Sequence, residues 1–512
     1  MPQHTINETI HTGADIKKSH DSSQASTDDT PSSINSASND DVQAKSTSQK
    51  LSLIFASIAL GSDGYQANII GAVERCLEKI YGAAVLSNGL STRVSNAMLV
   101  GDIVGQVGFG FIIDRMGRKF GIISCTMFVC LGIILATASS GLTPTGLIWM
   151  LIIARGVTGV GVGGEYPCSS VTAGEAAEES GRSRGLWLIL SGNFVIDVGF
   201  VVATIVPVIL LAICGEGGLE VVWRLSIGLG LLLPLNVLYF RLKMLNSEMY
   251  QKNALTQNVP YLLIFKKYWP KLLVTGGIWF LYDFVSYSFG IFSDTILSVA
   301  VPENTLMQTL CWNIVINVFY PFGALAGGLF IDRLGRKTIM ASGFFIQAII
   351  GIIVGALAPQ IITNCFPVFV IMYGFFIFFG EFGPGDCTIL ISAEMYPTAI
   401  RGTMYGLSAA LGKAGAAIGT QVFKPMLYAL IESTGDPLRA QGYLFIIGSC
   451  IGILGGIITL LYIPNMTHES IDTLDVEFRQ MLLDNGYDVS QLGFGNVDSQ
   501  AEIAKPNKKE KN

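Results

Sequence analysis

The chain has 512 residues, of which 51% are hydrophobic and 14% charged, and its mean hydropathy is +0.53. A soluble protein carries about 25% charged residues to wet its surface, so an ordinary soluble enzyme is excluded, as is a disordered or fibrous chain. The formal charge of -6 and the pI near 5.4 argue against nucleic-acid binding, which shows a basic surplus.

Residues 1–50 are rich in Ser, Thr, Asn and Asp and contain no aromatic residue. Such a segment buries too little to offset its ordering entropy, which predicts a disordered tail. It lacks the basic-then-apolar pattern of a cleaved signal peptide. From Leu51 onward, twelve apolar runs follow, near 51–73, 93–113, 120–140, 145–172, 185–214, 222–242, 271–299, 306–331, 338–357, 364–391, 401–431 and 440–463. Each is long enough for the roughly 20 helical residues that cross about 30 Å of hydrocarbon. The runs are continuously apolar, without the alternation of barrel strands, so helices are expected. The fold class is an all-α polytopic membrane protein with twelve transmembrane helices.

The basic residues set the orientation. The linker at 243–270, between spans six and seven, and its flanks hold Arg241, Lys243, Lys252, Lys266, Lys267 and Lys271 against Glu248. The loops after spans two, four, eight and ten hold Arg115, Arg118, Lys119, Arg182, Arg184, Arg333, Arg336, Lys337 and Arg401. The remaining loops hold Glu216, Glu220, Glu303 and Glu432. An even number of spans puts every basic loop on one side, so both termini, including the tail at 464–512, are expected in the cytoplasm.

The sequence also repeats internally. Asp114-Arg115-Met116-Gly117-Arg118-Lys119 recurs as Asp332-Arg333-Leu334-Gly335-Arg336-Lys337, and Glu175 with Arg184-Gly185 recurs as Glu394 with Arg401-Gly402. Two six-span halves, 51–242 and 271–463, joined by a basic linker are the plan of a rocking secondary transporter with its site between the halves. The four histidines, His4, His11, His20 and His468, all lie in polar tails, and the nine cysteines form no CxxC pair. No metal, cofactor or histidine-base chemistry is expected in the spans, and with no GxSxG motif either, an enzyme is disfavoured.

The paired Asp-Arg-x-Gly-Arg-Lys loops resemble the signature of the major facilitator superfamily. Gly161-Val162-Gly163-Gly164-Glu165-Tyr166-Pro167 is similar to the fourth-span signature of its phosphate:proton symporter branch. Ser91-Thr92-Arg93-Val94-Ser95-Asn96-Ala97, Gly383-Pro384-Gly385-Asp386, the 279–285 stretch and the 405–409 stretch resemble the fungal glycerophosphodiester permeases. The resemblance implies a major facilitator fold, proton-coupled uptake of glycerophosphoinositol or glycerophosphocholine, and the plasma membrane. An inorganic phosphate:proton symporter is the alternative, and a nutrient receptor that no longer transports is a more remote one.

Charges at bilayer depth cost at least about 2.5–3.5 kcal/mol, so each invites a functional reading. Lys413 lies about 18 Å into span eleven at 1.5 Å per residue, too deep for its side chain to reach water easily. Gly412, Gly415 and Gly419 beside it allow a helix or a ligand to come close. Lys413 is read as the cation that meets a phosphate; the competing reading is a partner for a neighbouring carboxylate. Asp63, Glu165 and Asp283 are buried carboxylates of the kind that carry protons reversibly, or else helix-locking ion pairs. The resemblance assigns these three to proton coupling. It also places Tyr166, Asn193, Trp279 and Tyr287 around the substrate, although the two aromatics of span seven also read as packing residues.

Span ten departs from the phosphate symporters, which have Asn where Gly385 and Glu381 stand. The missing side chain at Gly385 is expected to open room beside the phosphate. Asp386 and Glu381 are expected to accept from hydroxyls or to face a trimethylammonium group, with a gating ion pair as the other reading of Glu381. Asp102 and Asp197 lie in spans and receive no assignment beyond polar packing or gating. Asp114, Arg118, Asp332 and Arg336, extended by Glu175, Arg184, Glu394 and Arg401, read as latches between helices rather than as substrate contacts. Moving one negative charge inward against 100 mV costs about 2.3 kcal/mol, so an anionic diester needs protons to enter, and several acids near one lysine suit that task.

Overall fold

The computed structural model describes residues 39–86, 89–116, 118–179, 184–243, 260–465 and 469–487, and those from Ser46 onward pack as one compact unit. The expected disorder at 1–38 and most of the basic linker, 244–259, lie outside the described residues.

The twelve transmembrane helices form two halves of six. In the N half, span one is Asn39–Tyr81, span two Leu90–Met116, span three Arg118–Thr137, and span four Pro144–Glu179. Span five comes in two pieces, Arg184–Ser191 and Asn193–Cys214, and span six in two more, Leu219–Leu229 and Leu232–Lys243. In the C half, span seven is Tyr261–Ile291, followed by a short helix, Ser293–Ala300. Span eight is Leu306–Asn317 with Phe319–Leu334. Spans nine and ten share one helical stretch, Arg336–Glu394, which turns at Cys365 (φ -156°, ψ 77°), just before Pro367. Span eleven is Arg401–Thr434 and span twelve Pro437–Tyr462.

Nine helical stretches among the described residues are long and apolar enough to cross a membrane, the 59-residue stretch Arg336–Glu394 counting once although it crosses twice. Spans one and eleven fall below that apolarity because small and polar residues replace large aliphatic ones along them. These are spans that run along the seam between the halves, where side chains face protein instead of lipid. Large aliphatics on other spans, such as Ile153, Leu329 and Leu454, lie exposed on the outer surface, as a hydrocarbon solvent allows.

Three boundaries differ from the sequence reading. Span one starts at Asn39 instead of Leu51, because extending a formed helix is far easier than nucleating one. Span seven starts at Tyr261, so Lys266 and Lys267 belong to a helix and not to a loop. The terminal segment after 463 carries a helix, Glu469–Asp484, whose Phe478 and Leu482 are buried. Its Asp475 accepts from the Thr398 backbone N–H at 2.7 Å and from the Thr398 hydroxyl at 2.8 Å.

The repeated loop has a physical reason for its glycine. Gly335 sits at φ 83°, ψ 149°, a conformation that residues with a Cβ rarely adopt. It turns the chain between spans eight and nine so that Arg336 begins the next helix.

Span ten holds the decisive irregularity. Glu381–Gly385 forms a π turn in which the Asp386 N–H reaches back to the Glu381 carbonyl, a bond across five residues. Pro384 lacks an N–H, which removes one ordinary α-helical bond there. In a regular helix, residues five apart diverge by about 140° around the axis. The π turn brings Glu381 and Asp386 back toward one face, and such turns concentrate at functional sites.

Candidate functional site

A cavity lies between the halves. Tyr166, Asn193 and Asp197 line it from the N half. Trp279, Tyr282, Asp283, Tyr287, Glu381, Gly385 and Lys413 line it from the C half. A second chamber, lined by Asn68, Phe200, Ser286, Tyr287 and Tyr320 among others, shares three of its residues with the first.

Lys413 is buried with its Nζ 3.0 Å from Asp283 Oδ2, and it donates to the Tyr287 hydroxyl at 2.5 Å. The ammonium lies 3.9 Å from the Tyr287 ring centroid and 5.1 Å from that of Tyr166. Trp279 hydrogen-bonds to Asp283 from one turn earlier on span seven. The glycines of span eleven serve helix packing here. A Cβ at Gly412 would stand 2.5 Å from the Trp279 ring, and one at Gly415 would stand 2.2 Å from the Phe280 carbonyl. Span seven thus packs directly on span eleven and aims Asp283 at the lysine.

The other wall is acidic. Asn193 begins the second piece of span five, and its Nδ2 donates to both Glu381 Oε2 and Asp386 Oδ1 at 2.9 Å. Tyr282 donates its hydroxyl to Glu381 Oε1. Two expectations are corrected here. A Cβ at Gly385 would stand 2.1 Å from Glu381 Oε2 and 2.8 Å from the Tyr282 hydroxyl, so the space left by the missing side chain is filled by Glu381 and not reserved for a ligand. Asp386 does not line the cavity; it lies behind Asn193, against Gly327 of span eight.

Glu165 also differs from expectation. It turns away from the cavity and closes a buried ion pair with Arg241 of span six. Thr126 and Ser169 donate to it at 3.1 and 2.8 Å. Arg241, counted in the sequence as a loop charge, is 1% exposed and donates to Thr126 at 2.5 Å. A buried carboxylate attracts whichever neighbouring cation can reach it, and the long Arg241 side chain reaches in from the helix end. Asp63 is buried and lies outside the cavity lining, near where Gly64 packs on the Ile196 backbone of span five, and its Oδ2 has no hydrogen-bond partner among the described residues. Asp102 is buried and interacts electrostatically with Lys413 and Arg155.

Of the latch residues, Arg336 meets Glu394 at 3.2 Å and Asp332 at 3.3 Å, and Asp332 accepts from the Leu186 N–H of span five at 3.4 Å. Arg401 is buried and donates to Thr398 at 3.3 Å. The side chains of Asp114, Arg118, Glu175 and Arg184 lie outside the described residues. At this basic end the halves touch, Thr403 donating to the Gly110 carbonyl at 3.4 Å. They touch at the opposite end too. Lys424 meets Glu74 at 2.6 Å and Ser91 at 2.5 Å, while Ser95 donates to Glu74 at 2.9 Å and Asn96 to Gln421 at 3.3 Å. The 91–97 motif therefore belongs to a closure between halves, and the central cavity is flanked by contacts at both ends.

Sequence reasoning missed Tyr282 and the Glu74–Lys424 pair, and it gave Asp197 no assignment beyond polar packing or gating. Lys424 was within reach. It follows Lys413 by three turns, about 16 Å along the same face of span eleven.

Two six-helix halves around a charged cavity define a multi-pass carrier, not an enzyme. The chain belongs to the sugar (and other) transporter family of the major facilitator superfamily, whose model matches residues 31–478. It is 41% identical over 458 residues to glycerophosphoinositol permease 1 of Candida albicans, covering 88% of this chain and 85% of that one. It is 38% identical to glycerophosphoinositol transporter 1 of Saccharomyces cerevisiae, covering 88% and 86% of the two chains. A low affinity inorganic phosphate transporter of Petunia hybrida is more distant, at 28% identity over 83% of this chain and 91% of its own. Among solved structures, the proton:xylose symporter XylE superposes with a TM-score of 0.67 at 16% identity, covering 83% of this chain and 97% of XylE, which establishes the fold.

Proposed function

We propose that this protein imports glycerophosphodiesters together with protons across the plasma membrane, by alternating access between its two halves, with both termini in the cytoplasm. The observation that carries the reading is Lys413, a buried cation held at the central cavity by Asp283 and Tyr287. Permeases whose names specify glycerophosphoinositol and glycerophosphocholine, at 41% and 37% identity, support the substrate class. The clustering of basic residues at one end of the bundle supports the orientation.

The phosphodiester anion takes Lys413 Nζ from Tyr287, which swings to donate to a phosphate oxygen, with Tyr166 and Trp279 closing the apolar sides. Asp283 then shares its counter-charge with the substrate. A proton taken up by a cavity acid offsets the added negative charge, whose passage against 100 mV would otherwise cost about 2.3 kcal/mol. The halves close behind the substrate at the Glu74–Lys424 end and part at the basic end.

Inorganic phosphate is the second reading, favoured by the 28% identical phosphate transporter. Uptake of labelled glycerophosphocholine into proteoliposomes, challenged with glycerophosphoinositol and with phosphate at two pH values, separates the two. The expected result is competition by both diesters, weak competition by phosphate, faster uptake at acidic external pH, and loss of about 100-fold in uptake for Lys413→Gln, matching a charged hydrogen bond worth about 3 kcal/mol. Uptake of phosphate alone, or undiminished accumulation by Lys413→Gln, refutes the proposal.

A further inference from the structure

Three acids meet where span five of the N half faces span ten of the C half. Asp197, Glu381 and Asp386 are 1%, 3% and 0% exposed. One amide, that of Asn193, spends both its hydrogens on Glu381 and Asp386, and one phenol, Tyr282, serves the remaining Glu381 oxygen. Among the described residues, Asp197 Oδ2 and Asp386 Oδ2 have no hydrogen-bond partner, and Asp197 faces the cavity. Of the other buried acids, Glu74, Glu165, Asp283 and Glu394 each close on a lysine or arginine within 4 Å, while Asp63, Asp102 and Asp294 make no such pair among the described residues but lie on other helices. Among the described residues, neither Glu381 nor Asp386 nor Asp197 makes such an ion pair.

Resting on the transport reading above, we infer that Asp197, Glu381 and Asp386 form a proton-holding latch between the halves, which closes the span five to span ten seam only when it carries a proton. Carboxylates gathered out of water cannot all stay ionised, because each charge loses its hydration and gains only repulsion. Two neutral donor groups do not supply the missing positive charge. A proton on one carboxyl oxygen removes a charge and creates an O–H donor for a neighbour. When the seam opens, Asn193 and Asp197 part from Glu381 and Asp386, water enters, and the proton leaves to the side that is open. The proton comes from water and returns to water, and no bond to substrate is made or broken. Closure and protonation are therefore linked equilibria, each favouring the other.

The groups facing this cluster from the elements packed against it are Asp283 and Tyr282 of span seven, Tyr320 of span eight, Lys413 of span eleven, and Cys387 next along span ten. Lys413 is already matched by Asp283, so it does not neutralise three further acids. The π turn supplies the specificity, since it alone lets one amide reach residues five apart on the same helix.

Two measurements on the full-length carrier test the latch. Without substrate, the infrared C=O band of a protonated carboxyl should be present at neutral pH and diminish in Asp386→Asn and, separately, in Asp197→Asn. In each case removing one acid frees the others from sharing a proton. In proteoliposomes, Asp386→Asn should keep counterflow of labelled glycerophosphocholine at equal pH while losing the concentrative uptake that a pH gradient drives, worth about tenfold per unit and per coupled proton. No protonated-carboxyl band in the wild type overturns the inference. So does concentrative uptake that survives in Asp386→Asn, and so does loss of counterflow along with accumulation, which would put the acids on the substrate. Absence of counterflow in the wild type with either diester refutes the transport reading, and the infrared band still decides the latch.

Discussion

Lys413 meets a carboxylate at 3.0 Å and a tyrosine hydroxyl at 2.5 Å, so its charge is matched where it stands. Around Glu381, one amide and one phenol serve two of three neighbouring acids, and among the described residues no lysine or arginine forms an ion pair with any of the three. Lys413 and, on the acidic side, Asp197 and Glu381 line the same cavity, and both regions are buried, yet only one is electrically complete. The contrast separates two tasks. A matched cation costs little to keep and can exchange one anion for another, which suits substrate binding. An unmatched acid cluster is stable only while it holds something positive, which suits energy coupling.

The comparison breaks most sharply at Lys413. Lys413→Gln leaves Asp283 buried without its counter-charge, which costs about 3–5 kcal/mol. The detergent-purified variant should melt well below the parent, and the double variant Lys413→Gln with Asp283→Asn should recover the melting temperature without recovering uptake. Recovery of transport by the double variant would show that the pair serves structure only.

A second matched pair sharpens the point, because it lies away from the cavity. Arg241→Met strands Glu165 and should destabilise by a similar 3–5 kcal/mol, while Arg241→Met with Glu165→Met should return to within about 1–2 kcal/mol of the parent. Uptake by the double variant should stay within severalfold. A loss as deep as that of Lys413→Gln would place Glu165 in the coupling path after all. Gly385→Asn acts on the unmatched side. Its side chain needs the space held by Glu381 Oε2, so Glu381 must move and the Asn193 bridge must loosen. Uptake should fall about tenfold and lose much of its dependence on external pH, a loss of about 1.4 kcal/mol that fits one displaced hydrogen bond to a charged group.

Much of this site is legible from residue types and depth. Lys413 stands out because a lysine twelve residues inside an apolar span cannot reach water and must be met by an anion or a polar partner, whereas Asn193, Glu381 and Tyr166 are reached through the family resemblance. Gly385 marks the right position for the wrong reason, since spacing does not say whether an absent side chain serves a ligand or a neighbouring glutamate. The pairing of Glu381 with Asp386 is beyond reach, because a regular helix separates them by about 140° and the sequence does not announce the π turn around Gly383-Pro384. Glu165 misleads because its partner, Arg241, is 76 residues away and looks like a loop charge. Likewise the terminal helix Glu469–Asp484 reads as part of a tail, although Phe478 and Leu482, four apart, mark one apolar face.

The smallest expected effect lies at the Glu74–Lys424 closure. This pair is matched like Lys413 and Asp283, but it joins opposite halves, with the Lys424 and Glu74 side chains 15% and 6% exposed. Water reaches it when the halves part, so its charges lose less on separation than a permanently buried pair would. Lys424→Gln should leave the melting temperature near that of the parent and weaken closure at that end by about 1 kcal/mol, a change of about fivefold in the balance between open and closed forms. Ser91 and Ser95 keep Glu74 and Lys424 in register from span two, so Ser91→Ala should act in the same direction with a smaller effect. A thiol reagent aimed at a cysteine introduced on the cavity side, at Ser286, reads that balance directly, since labelling requires an open path. Faster labelling in Lys424→Gln than in the parent is the expected outcome. Equal labelling would mean that the pair follows the closure without driving it, and the weight of holding the halves together would then fall on the Asn193 bridge.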